Sequence, residues 1–270
     1  MIINLLRKIK FRWTQYRHWD SRIRDVMSCP DNDNIQRVAQ AGKIIDNHQI
    51  MHNGQKIILG SYYGSGITDM LKRNKGVHEP QEEFVFSKVI NSLTDSPVMI
   101  ELGSYWAFYS MWLLQQRPAA RVYLFEPDEH NLNYGIENFK LNHLTGDFNR
   151  AYISDMVDIA SIPNTLNLPY IFEDKNLDFV DILHSDIQGN ELSLLKGAKD
   201  LLREERIGYL FISTHDNEIH NACINFINQF NYNILCEADL NRTFSYDGLI
   251  VAKLAKYAGV ENIEISKKLS

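Results

Sequence analysis

Asp186 and His215 stand at the ends of two apolar runs, Asp181-Ile182-Leu183-His184-Ser185-Asp186 and Phe211-Ile212-Ser213-Thr214-His215-Asp216. A carboxylate and an imidazole are side chains that exchange protons under mild conditions. The pair is therefore a candidate for activating a hydroxyl nucleophile, one group as base and the other orienting it. Apolar runs of this length read as buried strands, and ligands sit just outside the carboxyl ends of parallel strands. Beyond Asp186, Gly189 turns the chain into a helix with Glu191 in its first turn. Asp186 and Glu191 have a plain reading as helix-capping acids and a sharper one as members of the site. The expectation is that no metal is bound. The alternative is a magnesium or manganese ion among Asp186, Glu191 and His215, which offer oxygen and imidazole donors.

A second constellation precedes these. Val98–Ile100 leads into Glu101-Leu102-Gly103-Ser104-Tyr105-Trp106-Ala107, followed by Val122-Tyr123-Leu124-Phe125-Glu126-Pro127-Asp128. This reads as strand, glycine turn, helix, and a second strand ending in an acid. The glycine lets the backbone approach a ligand, and the acid accepts hydrogen bonds from ribose hydroxyls. A pyrophosphate site needs G-x-G-x-x-G, and only Gly103 is glycine here. The pattern therefore favours an adenosine cofactor without phosphates, S-adenosylmethionine. Glu126 is expected at the ribose, Gly103 and Ser104 at the methionine end, Glu101 at its amino group, Asp155 at the adenine amine, and Asp186 alongside.

The elements that must hold these residues alternate from Pro97 onward. Strands are expected at 97–103, 121–126, 148–153, 178–185 and 207–214, with helices at 105–116, 129–142, 189–203 and 217–229. Strands 231–237 and 243–253 follow in succession, implying an antiparallel hairpin at the end of an otherwise parallel sheet. That predicts an α/β fold: a mostly parallel, seven-stranded Rossmann-like sheet of the class I methyltransferase type. Residues 1–95 read as a mainly helical N-terminal extension with a short hairpin, 96–255 as the cofactor-binding domain, and 256–270 as a tail. Within the extension, Ile35–Asp46 is expected to be helical, His52-Asn53-Gly54 to turn a hairpin, and residues 60–66 to form a glycine-aromatic loop. Asn167-Leu168-Pro169-Tyr170 lies before the strand whose end would have to carry a base-binding box, and reads as a loop.

Bulk properties narrow the function. The chain has 270 residues and a net charge of −6, which argues against a nucleic-acid partner. Residues 1–28 hold seven Arg or Lys against Asp20 and Asp25, leaving −11 for the rest. With Leu5, Leu6, Ile9, Trp13 and Tyr16 at helical spacing, this start reads as a basic amphipathic helix. It is expected to pack on the domain or a second subunit, with contact to an anionic membrane surface as the alternative. Cys29, Cys223 and Cys236 fit neither disulfide nor zinc spacing, pointing to a reducing, cytoplasmic setting. No apolar run approaches the roughly 20 residues of a membrane span.

Asp181 to Glu191, followed by Leu195-Lys196-Gly197-Ala198, resembles the signature of FkbM-type methyltransferases. Glu101-Leu102-Gly103, Phe125-Glu126-Pro127-Asp128 and Asn138-Phe139-Lys140-Leu141-Asn142 are similar to that family's other motifs. Three positions depart from it: His184 replaces the usual lysine, Gln188 a glutamate, and Ala107 a glycine. The resemblance implies O-methylation of a sugar, glycan or other small hydroxylated acceptor. His78-Glu79-Pro80-Gln81-Glu82 and Phe244-Ser245-Tyr246-Asp247-Gly248 look like those of a His-Gln subgroup. That similarity implies that His78 and Glu79 cover the cofactor or the acceptor; with His184, Glu191 and Tyr246 they are the expected acceptor contacts, against plain readings as helix caps and a hairpin turn. Two rivals remain, a non-catalytic binding module and a nucleic-acid methyltransferase.

Overall fold

The structure is a computed structural model describing residues 19–269. It separates into two units. One comprises the described residues up to Phe84 together with Phe244–Tyr246, the other Val85–Thr243 and the chain from Asp247 onward. Residues 1–18, where most of the basic amphipathic segment falls, lie outside the described residues.

The larger unit is built on strands whose apolar composition leaves no solvent face. Every residue of β4 (Val98–Leu102), β10 (Ile207–Thr214) and β12 (Gly248–Leu254) is buried, as strands covered on both faces must be. They belong to a seven-stranded sheet of order β11-β12-β10-β9-β4-β5-β6, with β5 at Arg121–Phe125, β6 at Asp147–Asn149, β9 at Val180–Ser185 and β11 at Tyr232–Ala238. The β4–β5, β5–β6, β4–β9 and β9–β10 pairings are parallel. Only β12 runs against its neighbours, inserted between β10 and β11. The expected antiparallel ending is thus present, and strand order reverses between β4 and β9. Helices α4 (Phe108–Gln116), α5 (Glu129–Leu141), α7 (Glu191–Gly197), α8 (Lys199–Arg203) and α9 (Asn217–Ile227) connect the strands. One apolar cluster, including Ile100, Leu102, Phe125, Leu183, Leu194, Leu210, Ile212 and Ile250, fills the space around the sheet.

Local chemistry accounts for several boundaries. Asp128 caps α5 by accepting the N–H groups of His130 and Asn131, and Asp216 caps α9 through those of Glu218 and Ile219. Asn167 accepts the Tyr170 N–H at 2.9 Å, so the segment expected to be a loop opens α6 (Leu168–Asp174). The expected strand 148–153 is divided. Its first part is β6; its second, β7 (Ala151–Ile153), leaves the sheet to pair with β8 (Asn164–Leu166).

In the smaller unit, residues 19–28 form helix α1, ending at a 3-10 turn, Pro30–Asn34. The expected helix over Ile35–Asp46 is absent. Arg37 is drawn back onto the carbonyls of Asn32 and Ile35, and residues 44–45 are taken up as strand β1 (Ile44–Ile45). The hairpin around His52-Asn53-Gly54 is present, joining β2 (His48–Ile50) to β3 (Lys56–Ile58). Helix α2 (Gly64–Arg73) begins inside the stretch read as a glycine-aromatic loop. The division between units falls within α3 (Pro80–Ser92), earlier in the chain than the expected boundary at residue 95. Among the described residues, no helix is long and apolar enough to cross a membrane.

Candidate active site

The switch in strand order places the loops after β4 and β9 side by side, the usual ligand position of such sheets. Gly103 and Ser104 donate their N–H groups to the Phe125 carbonyl at 2.8 and 3.0 Å, and Asp186 N–H donates to the Leu102 carbonyl at 2.9 Å. Gly103 has φ of 72°, and a Cβ there would lie 1.8 Å from the Asp186 carbonyl oxygen. Glycine is therefore required for both backbone conformation and space. Tyr105 (φ 41°) and Ala107 (φ 63°) are also left-handed, so strain is concentrated in this loop, as at many ligand sites.

Two observations show that the cradle suits S-adenosylmethionine. The Ser104 hydroxyl oxygen is buried with no hydrogen-bond partner among the described residues, an unusual condition that a polar ligand group relieves. Glu126, 6% exposed at the end of β5, accepts the Tyr105 N–H on one oxygen (3.2 Å) and the Asp128 N–H on the other (2.9 Å). Each oxygen retains a lone pair for a ribose hydroxyl. Burial raises the Glu126 pKa, and these backbone donors work in the opposite direction.

The second part of the site is assembled by β12. Thr214 pairs with Gly248 in antiparallel register, so the residues just outside the pair, His215 and Asp247, come together. His215 Nε2 lies 3.0 Å from Asp186 Oδ1 and 3.4 Å from Asp247 Oδ1, while Nδ1 lies 2.8 Å from Glu191 Oε1. Gln188 Nε2 approaches His215 Nε2 at 2.9 Å and Asp186 Oδ1 at 3.0 Å. Glu191 is fully buried and also accepts the Gly189 N–H at 3.0 Å. Burial opposes a charge on His215, but hydrogen bonds to Asp186 and Glu191 and the charges of Asp186 and Asp247 outweigh it. The result is a pKa raised to about 10. Carboxylates thus face the ring at both of its nitrogens.

Asp186, Glu191 and His215 are thus brought together as one cluster. Asp247, which the sequence presents as part of a turn, joins them because the pairing of β10 with β12 is not a local feature. Its sequence signals were the turn-like run Thr243–Gly248 and the subgroup resemblance of Phe244 to Gly248, neither of which points to His215. Other residues lie elsewhere. His184 is 3% exposed and packed between Tyr109 and Phe211, at ring-centroid distances of 4.3 and 6.1 Å, rather than at the strand end. Glu101 is 3% exposed and accepts the Ser110 N–H at 3.1 Å, close to the start of α4. Asp155 is solvent-exposed, accepting the Ser193 hydroxyl at 2.9 Å and the Ser154 hydroxyl at 3.0 Å.

In the smaller unit, His78 and Glu79 belong to a buried ion network. Glu83 takes His78 Nδ1 (2.6 Å) on one oxygen and His52 Nε2 (3.0 Å) on the other, and His78 Nε2 meets Glu79 at 3.1 Å. Glu83 also accepts the His78 and Glu79 N–H groups at 2.7 and 3.0 Å, capping α3. Burial opposes the His78 charge, but Glu79 and Glu83 carry its pKa to about 10. Burial likewise opposes the Glu83 charge, and His78 and His52 hold that carboxyl far below its usual range. Tyr246 lies beneath the Arg22 guanidinium, 5.1 Å from its ring centroid.

A seven-stranded sheet with one reversed strand, a glycine turn after β4 and a buried acid ending β5 define a Rossmann-like S-adenosylmethionine-dependent methyltransferase. Residues 95–234 match the family described as the methyltransferase FkbM domain, and the chain belongs to that family. Its cofactor is S-adenosylmethionine. Similar solved structures include TrmK of M. capricolum with S-adenosylhomocysteine, at 16% identity, covering 67% of this chain and 71% of that one with a TM-score of 0.43. A precorrin-6y C5,15-methyltransferase from Geobacter metallireducens is 15% identical, covering 64% and 87% with a TM-score of 0.43. An rRNA methylase from Streptococcus thermophilus is 12% identical, covering 65% and 97% with a TM-score of 0.46. No curated protein matches the sequence.

Proposed function

We propose that the chain methylates a hydroxyl of a sugar, glycan or other small hydroxylated metabolite, with Asp186 as the proton acceptor. The observation that carries this reading is the contact of Asp186 Oδ1 with an imidazole whose other nitrogen is fixed by Glu191. When bound, S-adenosylmethionine supplies an electrophilic methyl group on a sulfonium. The chain's task is to align a hydroxyl oxygen with that methyl and to remove the hydroxyl proton as the new C–O bond forms. Both ring nitrogens of His215 already face carboxylates, so His215 serves as the orienting residue and Asp186 as the base. Asp186 Oδ1 is held by His215 and Gln188, and its side chain is 25% exposed. The second oxygen makes no hydrogen bond among the described residues and is free to take the proton. Glu191 sets the ring orientation. His78, Glu79 and Tyr246 serve the smaller unit's own structure, and acceptor contact is assigned to the exposed edge of the Asp186 cluster. The acidic remainder of the chain supports a small-molecule or glycan acceptor over nucleic acid.

The test is methyl transfer from labelled S-adenosylmethionine to a panel of sugars, oligosaccharides and polyhydroxylated metabolites. Asp186→Asn should lose at least about 100-fold in kcat, the usual scale of a positioned base, while still binding cofactor. Transfer to amino-group or nucleic-acid acceptors in place of hydroxyls would overturn the assignment.

A further inference from the structure

We propose that Asp186, His215 and Asp247 form a binding site for a divalent cation of the magnesium or manganese class, with Glu191 orienting the imidazole. The purpose of this site rests on the hydroxyl-methylating reading; its existence does not.

Three donor atoms from three separate loops converge. Asp186, His215 and Asp247 each offer a ligand atom within 4.8 Å of the other two, and His215 Nε2 lies 3.0 Å from Asp186 Oδ1 and 3.4 Å from Asp247 Oδ1. A cation bound at about 2.1 Å to each donor sets neighbouring donors about 3.0 Å apart in an octahedron and about 3.4 Å in a tetrahedron. The two imidazole–carboxylate separations therefore match those of adjacent ligands around one ion. The lone pairs of a neutral Nε2 and of Asp186 Oδ1 meet the Gln188 amide, at 2.9 and 3.0 Å, an uncharged donor on an exposed side chain that a divalent ion would displace. A proton on Nε2 supplies one unit of charge against two carboxylates, whereas a divalent ion balances both.

Glu191 provides a second, separate observation. It is not one of the three donors, yet it is fully buried, and its Oε1 holds His215 Nδ1 at 2.8 Å. A carboxylate that takes the Nδ1 hydrogen leaves the Nε2 lone pair aimed at the cluster, the arrangement that characteristically supports a metal-bound histidine. Its other oxygen is buried with no hydrogen-bond partner among the described residues, so solvation does not account for its burial. The trio expected from sequence, Asp186 with Glu191 and His215, fails as a ligand set because Glu191 occupies the opposite ring nitrogen. Asp247 takes its place. One imidazole and two carboxylates, with no thiolate, suit manganese or magnesium. Side-chain exposures of 25% for Asp186, 14% for His215 and 13% for Asp247 leave an entry path and room for further oxygen ligands. An acceptor hydroxyl bound there would be polarised and would lose its proton more readily to the second oxygen of Asp186.

The test is titration of the full chain, without cofactor, with manganese ion, read by calorimetry and by the electron paramagnetic resonance signal of free ion. One site per chain is expected, with Glu191→Gln and Asp247→Asn each weakening it by about 10- to 100-fold. S-adenosylmethionine affinity of the same variants, measured without metal, should stay within a few-fold and serves as the check on folding. Absence of binding at about 1 mM manganese, a dissociation constant marking only a weak contact, would overturn the site. Equal binding by wild type, Asp247→Asn and His215→Ala would do the same by placing the ion elsewhere. Specific manganese binding in a chain that methylates no hydroxyl would instead refute the acceptor assignment and leave the site standing.

Discussion

Replacement of Gly103 by alanine tests whether the loop after β4 and the loop after β9 form one unit. Gly103 has φ of 72°, and an L-residue in that conformation costs about 1–2 kcal/mol. The added methyl would sit 1.8 Å from the Asp186 carbonyl oxygen, where ordinary contact begins at 3.4 Å. One of the two backbones must therefore move by roughly 1.6 Å, straining the 2.9 Å hydrogen bond from Asp186 N–H to Leu102. Overpacking of this kind adds about 1–3 kcal/mol, for a total of roughly 2–5 kcal/mol. At about 2–4 °C per kcal/mol, the melting temperature should fall by roughly 4–20 °C. A shift above 1 Å at a catalytic carboxylate should also cost on the order of 100-fold in turnover. Gly189→Ala is the matched control. Gly189 has φ of 100° with nothing within 4 Å of a built Cβ, so it carries the backbone cost alone. Differential scanning calorimetry and cofactor titration of both variants decide the matter. Equal melting temperatures in the two, or undiminished cofactor affinity in Gly103→Ala, would refute the reasoning.

Glu126→Ala should weaken S-adenosylmethionine binding by about 10- to 100-fold, since a hydrogen bond to a charged group contributes about 1.5–3 kcal/mol. Calorimetry reads this directly, and an unchanged dissociation constant would remove Glu126 from the ribose site. Glu83→Gln leaves a buried imidazole without its carboxylate and should destabilise the folded chain by about 3–5 kcal/mol near pH 6.5, measured by denaturant unfolding. His78 rises from 6.5 to about 10 on folding, so the stability it contributes is complete below about pH 6.5 and is lost as pH climbs through 10. The gap between wild type and Glu83→Gln should accordingly narrow between pH 7 and pH 10; a gap that widens would contradict the ion network.

The sheet was legible because its strands are short, apolar and separated by helical stretches with turn signals, and burial on both faces writes that pattern into sequence. The glycine turn and Glu126 were legible for the same reason: each sits next to the element that positions it. The departure at Ala107 puts an alanine at φ of 63°, a conformation glycine adopts freely and alanine only with strain. What the sequence concealed depends on contacts between distant segments. Asp247 meets His215 through a strand pairing that spans 32 residues. His52 and His78 meet at Glu83, which reads locally as nothing more than a first-turn acid, a role it also fills. His184 sits in a strand next to the site, yet alternation turns it into the aromatic packing instead. In place of the Ile35–Asp46 helix, Arg37 bonds the Asn32 and Ile35 carbonyls and Ile44–Ile45 pair with β2, contacts that the local helical spacing does not encode.

The insertion of β12 between β10 and β11 sets an order of assembly during synthesis. β10 carries eight buried residues, and one of its edges stays unpaired until β12 arrives. At about 5–20 residues per second, a few seconds separate the synthesis of Thr214 from that of Gly248. Through that interval the nascent chain presents an apolar strand edge able to pair with a neighbouring chain. The residue that completes the polar cluster and the strand that seals the edge are delivered together, so a chain with a finished site is also one that has passed its most aggregation-prone stage.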